Sequence, residues 1–564
     1  MISRGVYFYR NEISNSFYQG KSLMQFTYHQ KREWDNAAQR SVAMGPRGMV
    51  ASSQQLATLS GYHAMLKGGN AVDAAVAMVS TLSVVEPFSV GIGGDAFALI
   101  YLADEKKILG MNASGRAPYA ANLEWFLKRS MKEIPLRGIL SVSVPGALHG
   151  WAEAVARYGK LKLGDILEDA IFYASHGFPV TEVIAGEWQH FDEVLHNDQA
   201  AANTYLVNGK APRSGQVFIN KDLSETYRKV AEGGIDAFYR GEIGDAIVKY
   251  TRGQEGLISQ KDFEGHTTTW VEPIMTDYRG YQIYELPPNS QGITAIQMLN
   301  ILEGYDVAGM GHNSSEYLHY LIEAKKMAFS DRDSLVVDPA FADIPLDRLL
   351  SKSYAEQCRK TIHGERTGES LPQAGKDRYS DTVYVAAVDE HRNAVSFISS
   401  LFLPFGSGKV VDGTGIILQN RGSSFSLDPQ HPNRLEPHKR PLHTIIPGMV
   451  FKDGQFLMCF GVMGGDMQPQ GHTQLLVNLI DFNMNLQEAV DAPRVRHIDG
   501  QGVYFEKGIP ESVVLKLQEK GHHVARSVSP VNEVGGGQAI YLDHNQNVLL
   551  GASDRRKDGA AIAF

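Results

Sequence analysis

The chain has 564 residues, 43% of them hydrophobic and 21% charged, a composition ordinary for a folded enzyme and unlike that of extensively disordered chains. Its 54 basic and 63 acidic residues give a mild net charge of -9 with no basic block, which argues against nucleic acid or an anionic membrane surface as partner and favours small-molecule chemistry. Two distant cysteines, Cys358 and Cys459, exclude a disulfide framework and a zinc knuckle, and no apolar run reaches eighteen residues, so the chain reads as soluble and cytoplasmic, with both cysteines as small buried hydrophobes.

Residues 1–39 are polar and aromatic without periodicity, an N-terminal extension within which Met24 offers an alternative start. The first predicted helix covers 54–66 and is closed by Gly68-Gly69. Asn70 then caps a second, 71–84, with Asp73 in its first turn; apolar nearly all round, it belongs between layers rather than on the surface. The glycines of the loop 86–95 (EPFSVGIGGD) permit close backbone packing ahead of a short strand, 96–101. A third helix over 163–176 buries Ile166, Leu167, Ala170, Ile171 and Ala174 and stops at Gly177; further helices are expected at 295–302 and 315–330. From residue 382 the pattern changes to hairpins. Strands at 382–388 and 394–400, 449–451 and 456–460, and 538–542 and 548–550 are joined by tight turns, with helices at 473–480 and 510–520 between them. Helix-rich first part and hairpin-rich second part together predict one α+β layered unit.

Familiar chemical motifs are missing. Residues 405–409 (FGSGK) fail as a phosphate loop, because Leu403 stands where the first glycine belongs and Val410 where Ser or Thr does. There is no His-Glu-x-x-His pair and no Gly-x-Ser-x-Gly elbow, and His522-His523 reads as a doublet on a surface turn, so neither metal nor cofactor is expected. One position stands out. Thr382 sits where the polar stretch 363–381 gives way to the apolar run 383–388 (VYVAAV). Made into a new N-terminus, a threonine carries its own nucleophilic hydroxyl and, in its α-amine, a base that titrates near neutrality. Taken alone, an Asp-Thr step at a strand start is unremarkable.

The ordered set of short motifs is not. Gly68 to Ala75 (GGNAVDAA), Val84 to Pro87 with Gly91 to Gly94, Ser143 to Gly146, the Thr382 region, Phe405 to Gly408, Arg440 to Leu442, Gly464-Gly465 and Asp558-Gly559 all fall in the order of the γ-glutamyltranspeptidase family of N-terminal nucleophile hydrolases, which the chain resembles from about Gly48 to Phe564. The resemblance implies a four-layer αββα sandwich made as a proenzyme. It implies a cut between Asp381 and Thr382 by Thr382 itself, giving a large subunit, 40–381, and a small one, 382–564, that stay together. It implies further that Thr382 Oγ1 attacks an amide carbonyl of a small-molecule substrate, with water or an amine as acceptor, and that the backbone N–H groups of Gly464 and Gly465 meet the oxyanion; by themselves these two glycines read as a turn after a strand.

Ser400 aligns with the threonine that hydrogen-bonds the nucleophile in the family, and Thr444 with the second of two paired serines. The family's carboxylate-holding arginine falls near Leu123 and is missing. Its aspartate for the α-amino group is replaced by Ser424, a neighbouring glutamine by Arg421, the first paired serine by His443 and an asparagine by Phe402. Arg421, and less directly Arg116, offer a fork for a carboxylate instead, each with a plain ion pair as its other reading. The expected activity is therefore that of a glutathione hydrolase or γ-glutamyltransferase-like enzyme. An acylase for another carboxylate-bearing amide, cephalosporin acylase-like or oxamate amidohydrolase-like, is the alternative within the class, and a non-processing binding protein of the same fold the alternative outside it.

Overall fold

Two seven-stranded antiparallel sheets, packed face to face, form the centre of the computed structural model, which describes residues 40–368, 381–525 and 533–564. The N-terminal extension 1–39 and most of the polar stretch ahead of Thr382 lie outside the described residues. The first sheet runs Ala43–Gly45, Val548–Ser553, Gly537–Asp543, Gln455–Val462, Gly448–Lys452, Tyr281–Glu285, Ile274–Tyr278. The second runs Ala560–Ala563, Met49–Ser52, Asp381–Val388, Ala394–Phe402, Asp95–Leu102, Lys107–Ala113, Thr269–Val271. Both sheets thus combine strands from before Thr382 with strands from the part that begins there.

The two-residue period of a strand explains the layering. In Asp381–Val388, Tyr384, Ala386 and Val388 pack between the sheets with Phe97, Leu99, Ile398, Met449 and Ile540, while Val383, Val385 and Ala387 face the helices on the other side. Those helices include Gln55–Leu66, Ala71–Val85 and Ala147–Tyr158. On the far face of the first sheet, Gly292–Leu302, Ser315–Leu335 and Met467–Ile480 bury a separate core around Ile283, Val450, Phe460 and Leu475. The result is the αββα sandwich.

Local signals set the helix starts. Asn70 accepts the Val72 and Asp73 N–H groups at 2.9 and 3.2 Å, while Asp73 accepts the Asn70 N–H at 2.8 Å, a reciprocal cap, and all fifteen residues of Ala71–Val85 are buried. The expected helix 163–176 is broken at Leu167 into Leu163–Ile166 and Glu168–His176, and it ends at Gly177 with φ 88°. His522 is the clearest correction. It is buried, not on a surface turn, with Nε2 2.8 Å from His319 Nδ1. Cys358 and Cys459 are buried, as expected.

The glycine loop packs as its sequence requires. A Cβ on Gly94 would fall inside contact distance of Ser400 O, and one on Gly93 inside that of Ile417 O. Gly94→Ala is therefore expected to cost about 1–3 kcal/mol by overpacking, read as a lower denaturant midpoint, with the loss falling on the strand that carries Ser400.

Candidate active site

Thr382 occupies an irregularity in the ladder. Asp381 pairs with Phe402 and Val383 with Ser399, so Ser400 and Leu401 together oppose Thr382 alone, a bulge that aims Ser400 at its neighbour across the sheet. Thr382 Oγ1 donates to Ser400 Oγ at 3.1 Å. Ser400 Oγ in turn donates to Asp381 O at 2.8 Å and accepts the Phe402 N–H at 2.8 Å. One hydroxyl thus touches the threonine oxygen and the carbonyl of the peptide bond immediately before it. Both Thr382 and Ser400 are fully buried in this uncut chain.

Phe402 carries the geometry outward. Held at φ 82°, it lines a cavity of about 280 Å³ together with Ser424, Thr444, Gly465, Arg332, Asp333 and Lys132. A bulky residue in the left-handed region is strained, and it is kept there by packing. The Arg421 guanidinium lies 3.9 Å above its ring and donates to Thr444 Oγ1 at 2.9 Å. Arg421 is wholly buried, so the fork expected to meet a carboxylate lies behind Phe402 and Thr444 rather than on the cavity wall.

His443 is buried one layer deeper. Its Nε2 lies 2.9 Å from Asp95 Oδ2, and Asp95 Oδ1 accepts Gly115 N–H at 2.7 Å and Gln419 Nε2 at 2.9 Å. Burial, reinforced by the Arg421 charge, pushes the His443 imidazole down to about 4, so it is neutral at pH 7 and donates to Asp95. Arg116 lies elsewhere, with Nη1 donating to Thr267 O at 3.3 Å, and does not line the cavity.

Gly464 and Gly465 adopt φ of 118° and 59°, and their carbonyls accept the N–H groups of Met467 and Gln468 at the start of Met467–Ile480. Their own N–H groups meet no acceptor among the described residues. Two open donors at a helix N-terminus suit a developing negative charge. The Gly465 carbonyl is pinned by Gln291 Nε2 at 2.9 Å, and Gln291 Oε1 accepts from Arg332 Nη1 at 2.8 Å. Arg332 also pairs with Asp466 at 2.5 Å and Asp333 at 2.7 Å, which neutralises it on the cavity wall.

Four further residues were invisible as a group in the sequence. Carboxylate oxygens of Glu86, Glu187 and Asp381 lie within 4.8 Å of one another, and Lys557 Nζ is 2.9 Å from Glu187 Oε1. Ser53 and Ser89 donate to the two oxygens of Glu86 at 2.7 and 2.8 Å. Asp381 Oδ1 accepts the Thr382 N–H at 2.9 Å, the nitrogen of the same Asp381–Thr382 peptide bond. Glu86 was legible only as part of the Val84 to Pro87 motif ahead of the glycine loop, and Lys557 carried no reading at all.

Comparison with known proteins agrees with this architecture. A family model described as gamma-glutamyltranspeptidase matches residues 57–564. The chain is 40% identical over 532 residues to the glutathione hydrolase-like YwrD proenzyme of Bacillus subtilis (strain 168), covering 92% of this chain and 99% of that protein. It is 36% identical over 540 residues to the acylase ACY 1 proenzyme of Pseudomonas sp. (strain SE83), covering 94% and 96%. Among solved structures, the cephalosporin acylase from Bacillus halodurans superposes with a TM-score of 0.88 at 40% identity, over 95% of this chain and 99% of that one. Sandwich, ordered motifs and end-to-end relatives agree, and the chain belongs to the γ-glutamyltranspeptidase family of N-terminal nucleophile hydrolases.

Proposed function

We propose that the protein is a self-processing amidohydrolase that cuts its own chain before Thr382 and then cleaves a carboxylate-bearing amide through a Thr382 acyl-enzyme. The observation that carries this is the short chain Thr382 Oγ1, Ser400 Oγ, Asp381 O, which puts a nucleophile and a donor to the attacked carbonyl on either side of one peptide bond. After the cut, the freed α-amine serves as base, and the open N–H groups of Gly464 and Gly465 receive the oxyanion of the substrate. The subunits are then 40–381 and 382–564.

The acyl group is best read as a dicarboxylic acid monoamide without an α-amino group. Ser424 on the cavity wall brings no charge to where an aspartate would hold an ammonium, and Phe402, Phe425, Leu427 and Leu442 give the wall an apolar side. Lys132 on the rim and the buried Arg421 behind Thr444 supply positive charge for the distal carboxylate. One observation favours a γ-glutamyl donor instead: Asp333 lines the same cavity, and its Oδ2 has no hydrogen-bond partner among the described residues.

Two anilides that differ only in the amino group separate these readings. Glutaryl anilide is expected to exceed γ-glutamyl anilide by at least about tenfold in kcat/KM, the worth of leaving one ammonium without its carboxylate. A preference for the γ-glutamyl compound that disappears in Asp333→Asn would reverse the assignment.

A further inference from the structure

Beside the Asp381–Thr382 bond lies the cluster Glu86, Glu187, Asp381 and Lys557, which has no part in the amide hydrolysis set out above. It brings three carboxyls and one ammonium into a space closed to solvent, where full ionisation would leave an excess of two negative charges. Such a group keeps a proton. Glu86 sits just past the end of Ala71–Val85, gripped by Ser53 and Ser89, and among the described residues Asp381 Oδ2 has no hydrogen-bond partner. The other oxygen of Asp381 is on the nitrogen that must become an amine when the bond breaks.

We propose that Glu86 is a positioning residue for self-cleavage: it keeps a proton within the carboxyl cluster beside the Asp381–Thr382 bond, and that proton passes by way of Asp381 to the Thr382 nitrogen as its bond to the Asp381 carbonyl carbon breaks. The inference rests on the self-processing reading above. Thr382 Oγ1 forms a bond to the Asp381 carbonyl carbon, the C–N bond breaks, and the nitrogen takes the proton that Glu86 held. The hydroxyl proton of Thr382 passes through Ser400 to the Asp381 carbonyl oxygen and leaves it when the carbonyl re-forms, which balances the proton taken up by the nitrogen. The product is an ester joining Asp381 to Thr382 Oγ1, which water hydrolyses to a free carboxyl and a free hydroxyl.

Burial pushes the Glu86 carboxyl up to about 8, with Lys557 opposing the shift and Asp381 and Glu187 adding to it. The groups that face Glu86 are these three together with the hydroxyls of Ser53 and Ser89. A proton held with a raised pKa is present below about pH 8 and lost above it. Cleavage that needs it must therefore slow as pH rises through that value.

The test is a pulse-chase of the full chain made by cell-free synthesis and shifted to buffers from pH 6 to 9.5, following loss of the uncut band. Wild type is expected to cut at a level rate up to about pH 8 and to slow about tenfold per pH unit above it, as for one lost proton. Glu86→Gln should cut at least about tenfold more slowly at pH 7, with no fall across that range, since its amide keeps the shape but has no proton to give. Should Glu86→Gln fold poorly, Glu187→Gln carries the test: removing one neighbouring negative charge should move the fall to lower pH. Wild type that stays whole at every pH would overturn self-processing and this proposal together. Wild type that cuts while Glu86→Gln matches its rate and profile, or while Glu187→Gln leaves the fall unmoved, would overturn the role of Glu86 alone.

Discussion

Thr382→Ala is expected to leave the chain whole and to reduce amide hydrolysis to background, a loss on the order of 10⁴-fold or more. Alanine removes the hydroxyl proposed to attack the Asp381 carbonyl, and without the cut no α-amine is made to act as base. Both steps fail at once. Intact-mass measurement gives a direct reading: wild type should yield two fragments that meet between Asp381 and Thr382, and Thr382→Ala one. Thr382→Ser keeps the oxygen in a primary hydroxyl and should still cut. If Thr382→Ala were split at the same bond, an outside protease would be the agent and the nucleophile would lose its best support.

Ser400→Ala is the second large effect. Its hydroxyl is the donor to Asp381 O and the acceptor for Thr382 Oγ1, so its loss removes the polarising contact at the first reaction and the orienting one at the second. Removal of one oxyanion donor typically costs about 10²–10³ in rate, and self-cleavage should slow by that much. Ser400→Ala also strands the buried Phe402 N–H, a cost of about 1–3 kcal/mol, so its thermal midpoint belongs beside the rates. Ser400→Thr returns the oxygen and should recover most of the cleavage. Recovery of rate without recovery of the midpoint would separate chemistry from packing. Cleavage of Ser400→Ala at the wild-type rate would mean that another group polarises the Asp381 carbonyl.

What the sequence makes legible is local. The Asn70 cap, the stop at Gly177 and the hairpins after Thr382 follow from neighbours a few residues apart, and these elements appear within a residue or a few of where the pattern puts them. Thr382 is visible because polarity changes abruptly there, and the role proposed for it comes from motifs in family order. The bulge opposite Thr382 was not legible, because register is a property of two strands. Nor was the Glu86 cluster, whose members come from four places spread from residue 86 to residue 557 and meet only when both sheets are built. His522 departs from expectation for a related reason: a histidine doublet in polar company looks exposed, and the side chain it hydrogen-bonds, His319, lies 203 residues earlier. The break at Leu167 has no signal in the spacing of apolar residues, which continues through it.

The mixing of early and late strands in both sheets has a consequence for the protein once it is cut as proposed. Met49–Ser52 is hydrogen-bonded on one side to Ala560–Ala563 and on the other to Asp381–Val388, and Ala394–Phe402 is bonded to Asp95–Leu102. Neither piece can leave without tearing both sheets, so once cut the halves should part only in denaturant. The intact precursor refolds as one molecule, at a rate independent of concentration. The two fragments must first find each other, so renaturation of the mature protein becomes a second-order process and slows on dilution. Maturation would thereby turn a reversible fold into one that is assembled once, while the two halves are still a single chain.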